Sequence, residues 1–138
     1  MTVGTNIAST SVGDEITELE NKLAYSTLSI TRIENSYFTA TNIDRLKAYK
    51  KYGMLYLLGN LGPGIAIPSG GDFFNIAQIE GWHAIEAVTF TMATQNNTAI
   101  GTIWITVNGL VQFINASGTT IPASNSWMRF SISVPSID

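Results

Sequence analysis

The C-terminal part of this chain is almost free of charge, and this limits what it can fold into. From position 52 onward only five residues are charged, namely Asp72, Glu80, Glu86, Arg129 and Asp138. Over the whole chain 12% of residues are charged and 45% are hydrophobic, whereas charged residues make up about 25% of a typical soluble domain. Because few charges are available to keep such a chain soluble alone, we expect it to bury further surface by assembling with other copies.

Short apolar runs separated by Gly, Pro, Asn and Ser indicate strands in this neutral part. The runs at 54–58, 84–93, 100–107 and 110–114 have the lengths and β-branched content of strands. Residues 127–134 alternate, with Met128, Phe130, Ile132 and Val134 on the face expected to enter the core. The sequence therefore predicts an antiparallel β-sandwich over residues 41–138.

Asn108 and Gly109 give the clearest turn signal in the chain, because both residues tolerate positive φ in a tight hairpin turn. A two-residue turn at this point pairs Val107 with Leu110 and Trp104 with Phe113. Both faces of the resulting hairpin are apolar, whereas a solvent-facing antiparallel hairpin has one polar face. We therefore expect one face to meet the core and the other a second sheet or subunit, and we expect Trp104 to be packed.

A heptad pattern precedes the neutral part. The acidic residues Asp14, Glu15, Glu18 and Glu20 suit the first turns of a helix. The seam is spaced 3 and 4 residues apart and contains Ile16, Leu19, Leu23, Ser26, Ile30, Ile33 and Tyr37. Isoleucine at several seam positions favours a parallel trimer. The prediction is an extended or disordered segment at 1–13, a coiled-coil stalk at 14–40 and a homotrimeric protein.

Two alternatives to the stalk stay open. A single amphipathic helix that packs on its own domain shows the same period. The stretch from Thr27 to Thr31 also alternates like a strand, so the helix can end early.

The sequence contains few residues of the types that carry out catalysis. His83 is the only histidine, cysteine is absent, and no Gly-x-Ser-x-Gly motif is present. Glu80 and Glu86 are the only close carboxylate pair in the head and form a weak candidate for glycoside hydrolysis. We expect no enzyme activity, no metal and no cofactor.

The charge pattern argues against nucleic-acid and membrane partners. The net charge is −3, and no apolar run reaches the roughly 18 residues of a membrane span. The basic residues Arg45, Lys47, Lys50 and Lys51 form a local cluster that is either a contact for a phosphate polymer or a solvated strand. The N-terminus has no pattern of a secretory signal.

Side chains suited to saccharides are better represented. Aromatic rings stack on the C–H faces of sugars, and amide, imidazole and guanidinium groups bind their hydroxyls. The candidate saccharide-binding residues are Trp82, His83, Asn125, Trp127 and Arg129. The alternative for each tryptophan is that it fills a core or an interface.

Three stretches resemble the C-terminal head domain of phage tail-fibre and receptor-binding (baseplate) proteins, especially those of siphophages that infect Gram-positive bacteria. The first is YKKYGMLYLLGN at 49–60, which is similar to the family's first hairpin. The second is IEGWHA at 79–84, where Trp82 and His83 stand in place of the family's tyrosine and arginine. The third runs from GTIWITVNGLV at 101–111 to the ending VPSID at 134–138.

This resemblance implies a trimeric β-sandwich head in the virion, at the tail tip or baseplate. It implies a host cell-wall saccharide as the ligand and other phage baseplate or tail proteins as partners of the N-terminal region. A purely structural trimeric baseplate or fibre component is the second function that the resemblance allows.

Overall fold

The computed structural model describes residues 12–18, 25–51, 53–95, 99–123 and 127–137. Two helical segments lie in these ranges, α1 at 12–18 and α2 at Ala40–Ile43. The strands are β1 (Ser26–Leu28), β2 (Ile30–Arg32), β3 (Lys47–Lys51), β4 (Met54–Leu61), β5 (Phe74–Ile79), β6 (Val88–Ala93), β7 (Ile100–Ile105), β8 (Leu110–Ile114) and β9 (Met128–Pro135). Neither of these helical segments is long and apolar enough to cross a membrane.

The strands form two antiparallel sheets. One has the order β1-β3-β4-β9 and the other the order β2-β5-β8-β7-β6. Both sheets contribute to one hydrophobic core, with Leu57 from the first and Ile103 and Phe113 from the second completely buried. The rings of Phe90 and Phe130 approach to 5.1 Å across the two sheets. The predicted mainly β fold is confirmed, and two antiparallel sheets around a shared core are consistent with the predicted β-sandwich.

The last strand, β9, has the predicted faces. Met128 and Val134 are buried, while Phe130 and Ile132 are half-buried and pack against the core. The alternate side chains, including Arg129, are exposed. Residue-by-residue alternation is the direct consequence of the strand period of two, which is why this assignment could be made from the sequence.

The N-terminal part differs from the predicted stalk. Residues 12–18 are helical and exposed. The helix therefore includes residues 12 and 13, which were predicted to be extended. The predicted stalk helix is wrong for residues 26–32, because these residues form β1, which pairs with β3, and β2, which pairs with β5. The alternative, a strand from Thr27 to Thr31, is confirmed as two short strands separated by Ser29. The β domain therefore includes residues well before position 41, and Leu19 and Leu23 lie outside the described residues.

The later seam positions pack within the chain's own domain. Ile30 is half-buried against the core, and the backbone N–H of Ile33 donates to the carbonyl of Ile76 at 3.0 Å. The ring of Tyr37 lies 5.0 Å from that of Phe74. These three side chains therefore do not continue a helical seam that starts at Ile16.

The β7–β8 hairpin forms with a different register from the predicted one. Its loop is three residues long, at 107–109, with the N–H of Gly109 donating to the carbonyl of Thr106 at 3.0 Å and Gly109 at φ 81°. This is the geometry of a type I turn followed by a left-handed residue. Ile105 is therefore opposite Val111, and the predicted pairing of Val107 with Leu110 is wrong by one residue.

Candidate ligand-binding face

Trp82 lies in the core and not on the surface. Its exposed fraction is 1%, and its indole Nε1 is buried without a hydrogen-bond partner in the described part of the chain. The residue follows the turn at Glu80 and Gly81 and precedes the isolated bridge between Ala84 and Ser136. A sugar cannot stack on a ring that is covered on both faces, so the prediction that Trp82 binds a saccharide is wrong.

His83 is exposed, but it is far from Trp127 and Arg129. Its backbone carbonyl accepts a hydrogen bond from the N–H of Ile137 at 3.0 Å, which places it at the C-terminal end of β9. Trp127 and Arg129 stand at the opposite end of that strand. Since a strand rises about 3.3 Å per residue, the two groups lie roughly 20 Å apart. The structure does not bring these residues together in one site.

Trp127 is half-buried, and its ring is already in contact with the protein. The guanidinium of Arg45 lies 4.3 Å from the ring centroid. Gly62 also lies against the ring, since a Cβ at this glycine would stand 2.6 Å from the indole. Arg129, two residues further along in β9, is exposed, and Asn125 lies outside the described residues.

An exposed aromatic site is present elsewhere, on the outer face of the five-stranded sheet. Trp104, with an exposed fraction of 36%, is opposite Gln112 on β8 and Thr89 on β6, and Gln112 is in turn opposite Asn75 on β5. The one-residue difference in register explains this placement, because a shift by one position moves every side chain to the other face. We call this row, Thr89, Trp104, Gln112 and Asn75, the Trp104 face.

Two contacts hold the Trp104 face in place. The ring of Phe73 meets that of Trp104 edge to face, with centroids 5.4 Å apart and planes at 68°. The Nε2 group of Gln112 donates to Oδ1 of Asn75 at 2.8 Å. Each amide still has a further polar atom for a ligand, the carbonyl oxygen of Gln112 and the NH₂ group of Asn75. The face thus offers a fixed ring beside amide donors and acceptors.

The outer face of the five-stranded sheet has no charged side chain at its outward strand positions. The rows on either side of the Trp104 face are uncharged at these positions, with Thr31, Gln78 and Leu110 on one side and Thr91, Thr102 and Ile114 on the other. The outer face of the other sheet differs, since it presents Lys47 and Arg129. A neutral surface of hydroxyl, amide and aromatic groups suits a neutral ligand rich in hydroxyls.

A second aromatic cluster lies on the outer face of the four-stranded sheet. The ring of Tyr25, which is 60% exposed, meets those of Tyr49 and Tyr56 edge to face, at 6.4 and 5.5 Å. The ammonium group of Lys51 lies 4.7 Å from the centroid of the Tyr25 ring. Because a cation of the protein itself already occupies this ring, the cluster is a weaker site for a neutral sugar than Trp104.

The described residues hold no group of three or more His, Asp or Glu side chains placed to bind a metal ion. Glu80 and Glu86 are both exposed; the first precedes the buried Trp82 in the chain and the second follows it.

The sequence of β7 itself indicates that Trp104 faces outward, although the assumed two-residue turn led to the opposite prediction. Along β7, the small or aliphatic residues Gly101, Ile103 and Ile105 alternate with Thr102 and Trp104, and the first set is buried. A Cβ at Gly101 would stand 2.7 Å from the ring of Phe113, so this face needs a glycine where it receives the large ring. Placing Gly101 and Phe113 on the same face of the sheet would have indicated that Trp104 faces outward, since Phe113 is opposite Ile103 on that buried face.

Comparison of this chain with protein-family models and with curated protein sequences finds no match. Its function is therefore inferred from the geometry and chemistry of its own residues.

Proposed function

We propose that this protein is the head of a phage tail-fibre or receptor-binding protein and attaches the virion to a saccharide on the host cell surface. The observation that supports the proposal best is the Trp104 face, where an exposed indole stands beside two ordered amides on an uncharged sheet. The resemblance of the three sequence stretches to phage head domains supports the same reading.

The chemistry of the Trp104 face matches a neutral sugar. The indole offers an apolar face to the C–H groups of one ring, and edge contact with Phe73 fixes its orientation before binding. The amides of Gln112 and Asn75 can accept from and donate to adjacent hydroxyls. Because these groups are ordered in advance, little conformational entropy is lost when the sugar binds.

A shallow site of this kind is weak, with an affinity near the millimolar range, or about 4 kcal/mol. Several copies on one oligomer, and many oligomers on one particle, raise the overall affinity without new contacts. A homotrimer, the oligomer that we propose for this protein, would supply three copies of the site. Its N-terminal region, where Ile16 is 51% exposed on α1, is the part that joins subunits and other virion proteins.

A glycan array tests the proposal directly. The purified wild-type protein should bind neutral saccharides, and Trp104→Ala should weaken this binding at least about tenfold, equivalent to about 1.4 kcal/mol. Trp104→Tyr retains a ring and should lose less. Tyr25→Ala removes an exposed aromatic from the opposite sheet and is the matched control.

Binding that is unchanged in Trp104→Ala, or lost equally in Tyr25→Ala, would contradict the proposed site. Blocking of phage adsorption by the purified protein, lost in Trp104→Ala, tests the biological role. The substituted protein must retain the wild-type oligomeric state for either comparison to count.

A structural baseplate or fibre component is the second candidate. The observation that favours it is the apolar content of the same outer face, where Ile100, four residues before Trp104 on β7, is 47% exposed. If the face is covered by another virion protein or a second copy, Trp104→Ala should change the oligomeric state or the assembly partners and no glycan should bind. Light scattering of the variant separates the two functions.

A further inference from the structure

We propose that the outer face of the four-stranded sheet is the docking surface for the acidic N-terminal helix, α1, of a second copy of this chain. This surface carries four cations around one exposed leucine, and we call it the basic face: Arg45, Lys47, Lys51, Leu58 and Arg129. The inference rests on the part of the proposed function in which the N-terminal region joins subunits, and it does not depend on saccharide binding at the Trp104 face.

The strand registers bring the basic face together. Lys47 is opposite Leu58 on β4, and Arg129 lies one row further along the same face of β9. Side chains in such opposite and diagonal positions lie about 5–8 Å apart. Arg45 joins them at the beginning of β9, since its guanidinium lies 4.3 Å from the centroid of the Trp127 ring. The sheet therefore holds several cations on one side.

The charges of the basic face are not balanced within the chain. In the described residues, no acidic side chain occupies an outward strand position of the four-stranded sheet. None of these four cations forms an ion pair within 4.0 Å with a described acidic group. The exposed Asp44 precedes Arg45 in the chain, and four cations against this one carboxylate still leave a net positive charge. The face therefore attracts a negatively charged partner.

Leu58 adds an apolar requirement to this charge. Its side chain is 40% exposed in the middle of the sheet, with Lys47 on the neighbouring strand. A partner that covers Leu58 gains hydrophobic burial, and it needs negative charge at the border of its apolar surface. An amphipathic helix with acidic side chains has both properties.

The helix α1 of this chain fits that description. Val12 and Ile16 are four residues apart, so they share one side of the helix, and both are exposed. Glu15 borders this apolar side. Within residues 12–18 the helix carries three carboxylates, those of Asp14, Glu15 and Glu18, and no cation. Its charge and its apolar side are therefore complementary to the basic face.

The position of α1 in the single chain favours docking on a neighbouring copy. Every residue of α1 is exposed, so the helix does not pack on the sheet of its own chain. The described domain resumes at Tyr25, whose ring lies on the outer face of the same sheet, against Tyr56. From Glu18 to Tyr25 an extended chain spans at most about 25 Å, which is enough to reach an adjacent subunit. If each copy gives one helix and receives one, the contacts can close into a ring.

Disulfide cross-linking tests which surfaces meet, because the chain has no cysteine of its own. Tagged chains with Ile16→Cys and untagged chains with Leu58→Cys are co-expressed, purified under reducing conditions and oxidised. Mixed dimers should be the main product on a non-reducing gel. Thr89→Cys, exposed on the outer face of the other sheet, replaces Leu58→Cys as the matched control and should give a small fraction of that product. Equal yields with this control, or links mainly between two Ile16→Cys chains, would overturn the proposal.

Charge removal tests the basic face itself. The double variant Lys47→Gln/Arg129→Gln should raise the concentration needed for half-maximal assembly at least about tenfold, the effect expected when charge-assisted contacts are lost. Arg32→Gln/Lys50→Gln removes the same charge from β2 and from the other side of β3, and should have little effect. Light scattering over a dilution series measures both. Equal losses in the two double variants would show a general effect of net charge and overturn the proposal.

Two further outcomes separate this inference from other functions. A wild-type protein that stays monomeric but binds inorganic polyphosphate, with binding lost in Lys47→Gln/Arg129→Gln, would assign the basic face to a phosphate polymer and overturn the docking of α1. A wild-type protein that binds glycans but shows neither the mixed cross-link nor the charge effect would overturn this inference and leave saccharide binding at the Trp104 face intact.

Discussion

Trp104 stands opposite Gln112 in the β7–β8 ladder, while its neighbour Ile103 stands opposite Phe113. This pairing sends the indole outward and the two apolar side chains into the core. The loop at 107–109 determines it, because one more or one fewer residue in the register exchanges the two faces of the hairpin. The candidate ligand face therefore depends on the conformation of Gly109.

Gly109→Ala should destabilise the protein more than an alanine at a comparable glycine elsewhere. Gly109 has φ 81°, and a Cβ on it would lie 2.7 Å from the carbonyl oxygen of Ile79. The left-handed conformation costs a non-glycine residue about 1–2 kcal/mol, and the clash with backbone raises the total to about 3 kcal/mol. Gly118 has the same φ with open space around it, so Gly118→Ala should cost only about 1 kcal/mol. Urea unfolding of both variants checks this, and equal losses would show that the contact with Ile79 is relieved at no cost.

Phe113→Ala and Phe130→Ala should differ in their effect on the free energy of unfolding. Phe113 is completely buried, and its ring meets that of Phe38 at 5.1 Å, so truncation should cost about 3–5 kcal/mol. Phe130 is half-buried against the core, and its truncation should cost about half as much. Denaturant unfolding measures both values. A larger loss for Phe130→Ala would mean that Phe130 is covered by a further contact, such as a second subunit.

The parts of the fold that the sequence predicts correctly are those with a single dominant period. Along β9, Met128 and Val134 are buried and Arg129 is exposed, as the alternation requires. The prediction of a helix around Ile30 was wrong because the apolar residues there fit two periods at once. Leu28 and Ile30 alternate as in a strand, and Ile30 and Ile33 continue a heptad. Pairing with β3 and β5 decides between them, and such long-range contacts are not visible in local spacing.

The candidate site was harder to predict than the fold for two physical reasons. An Asn-Gly pair fits both a two-residue and a three-residue loop, so the outward position of Trp104 follows only from the observed register. Trp82 lies in an irregular segment, where no period indicates which side faces the core. Loop tryptophans therefore cannot be assigned to core or surface from their spacing.

Trp82→Ala should lower the free energy of unfolding, and any loss of glycan binding should result from this unfolding. The ring is 1% exposed, and its removal should cost about 3–5 kcal/mol. Trp82→Phe should cost only about 1–2 kcal/mol, because the buried Nε1 has no hydrogen-bond partner in the described residues and no such bond is lost. Calorimetric unfolding gives the stabilities, and the glycan array gives the binding of Trp82→Phe at a temperature where it is folded. Weaker glycan binding by the folded Trp82→Phe protein would return this residue to the site.

Ile16→Asp and Ile30→Asp should have different consequences if the protein is a homotrimer assembled through its N-terminal helix. Ile16 is 51% exposed on α1, where every residue is exposed. A carboxylate at this position should therefore weaken assembly and leave the β domain folded. Ile30 is opposite Ile79 in the β2–β5 ladder and packs against the core, so Ile30→Asp should lower the free energy of unfolding of each subunit. Light scattering of the wild type should give about three times 14.9 kDa, with a smaller mass for Ile16→Asp. A wild-type mass of one chain at micromolar concentration would contradict the homotrimer, and an unchanged mass in Ile16→Asp would place the subunit contacts on the β domain instead.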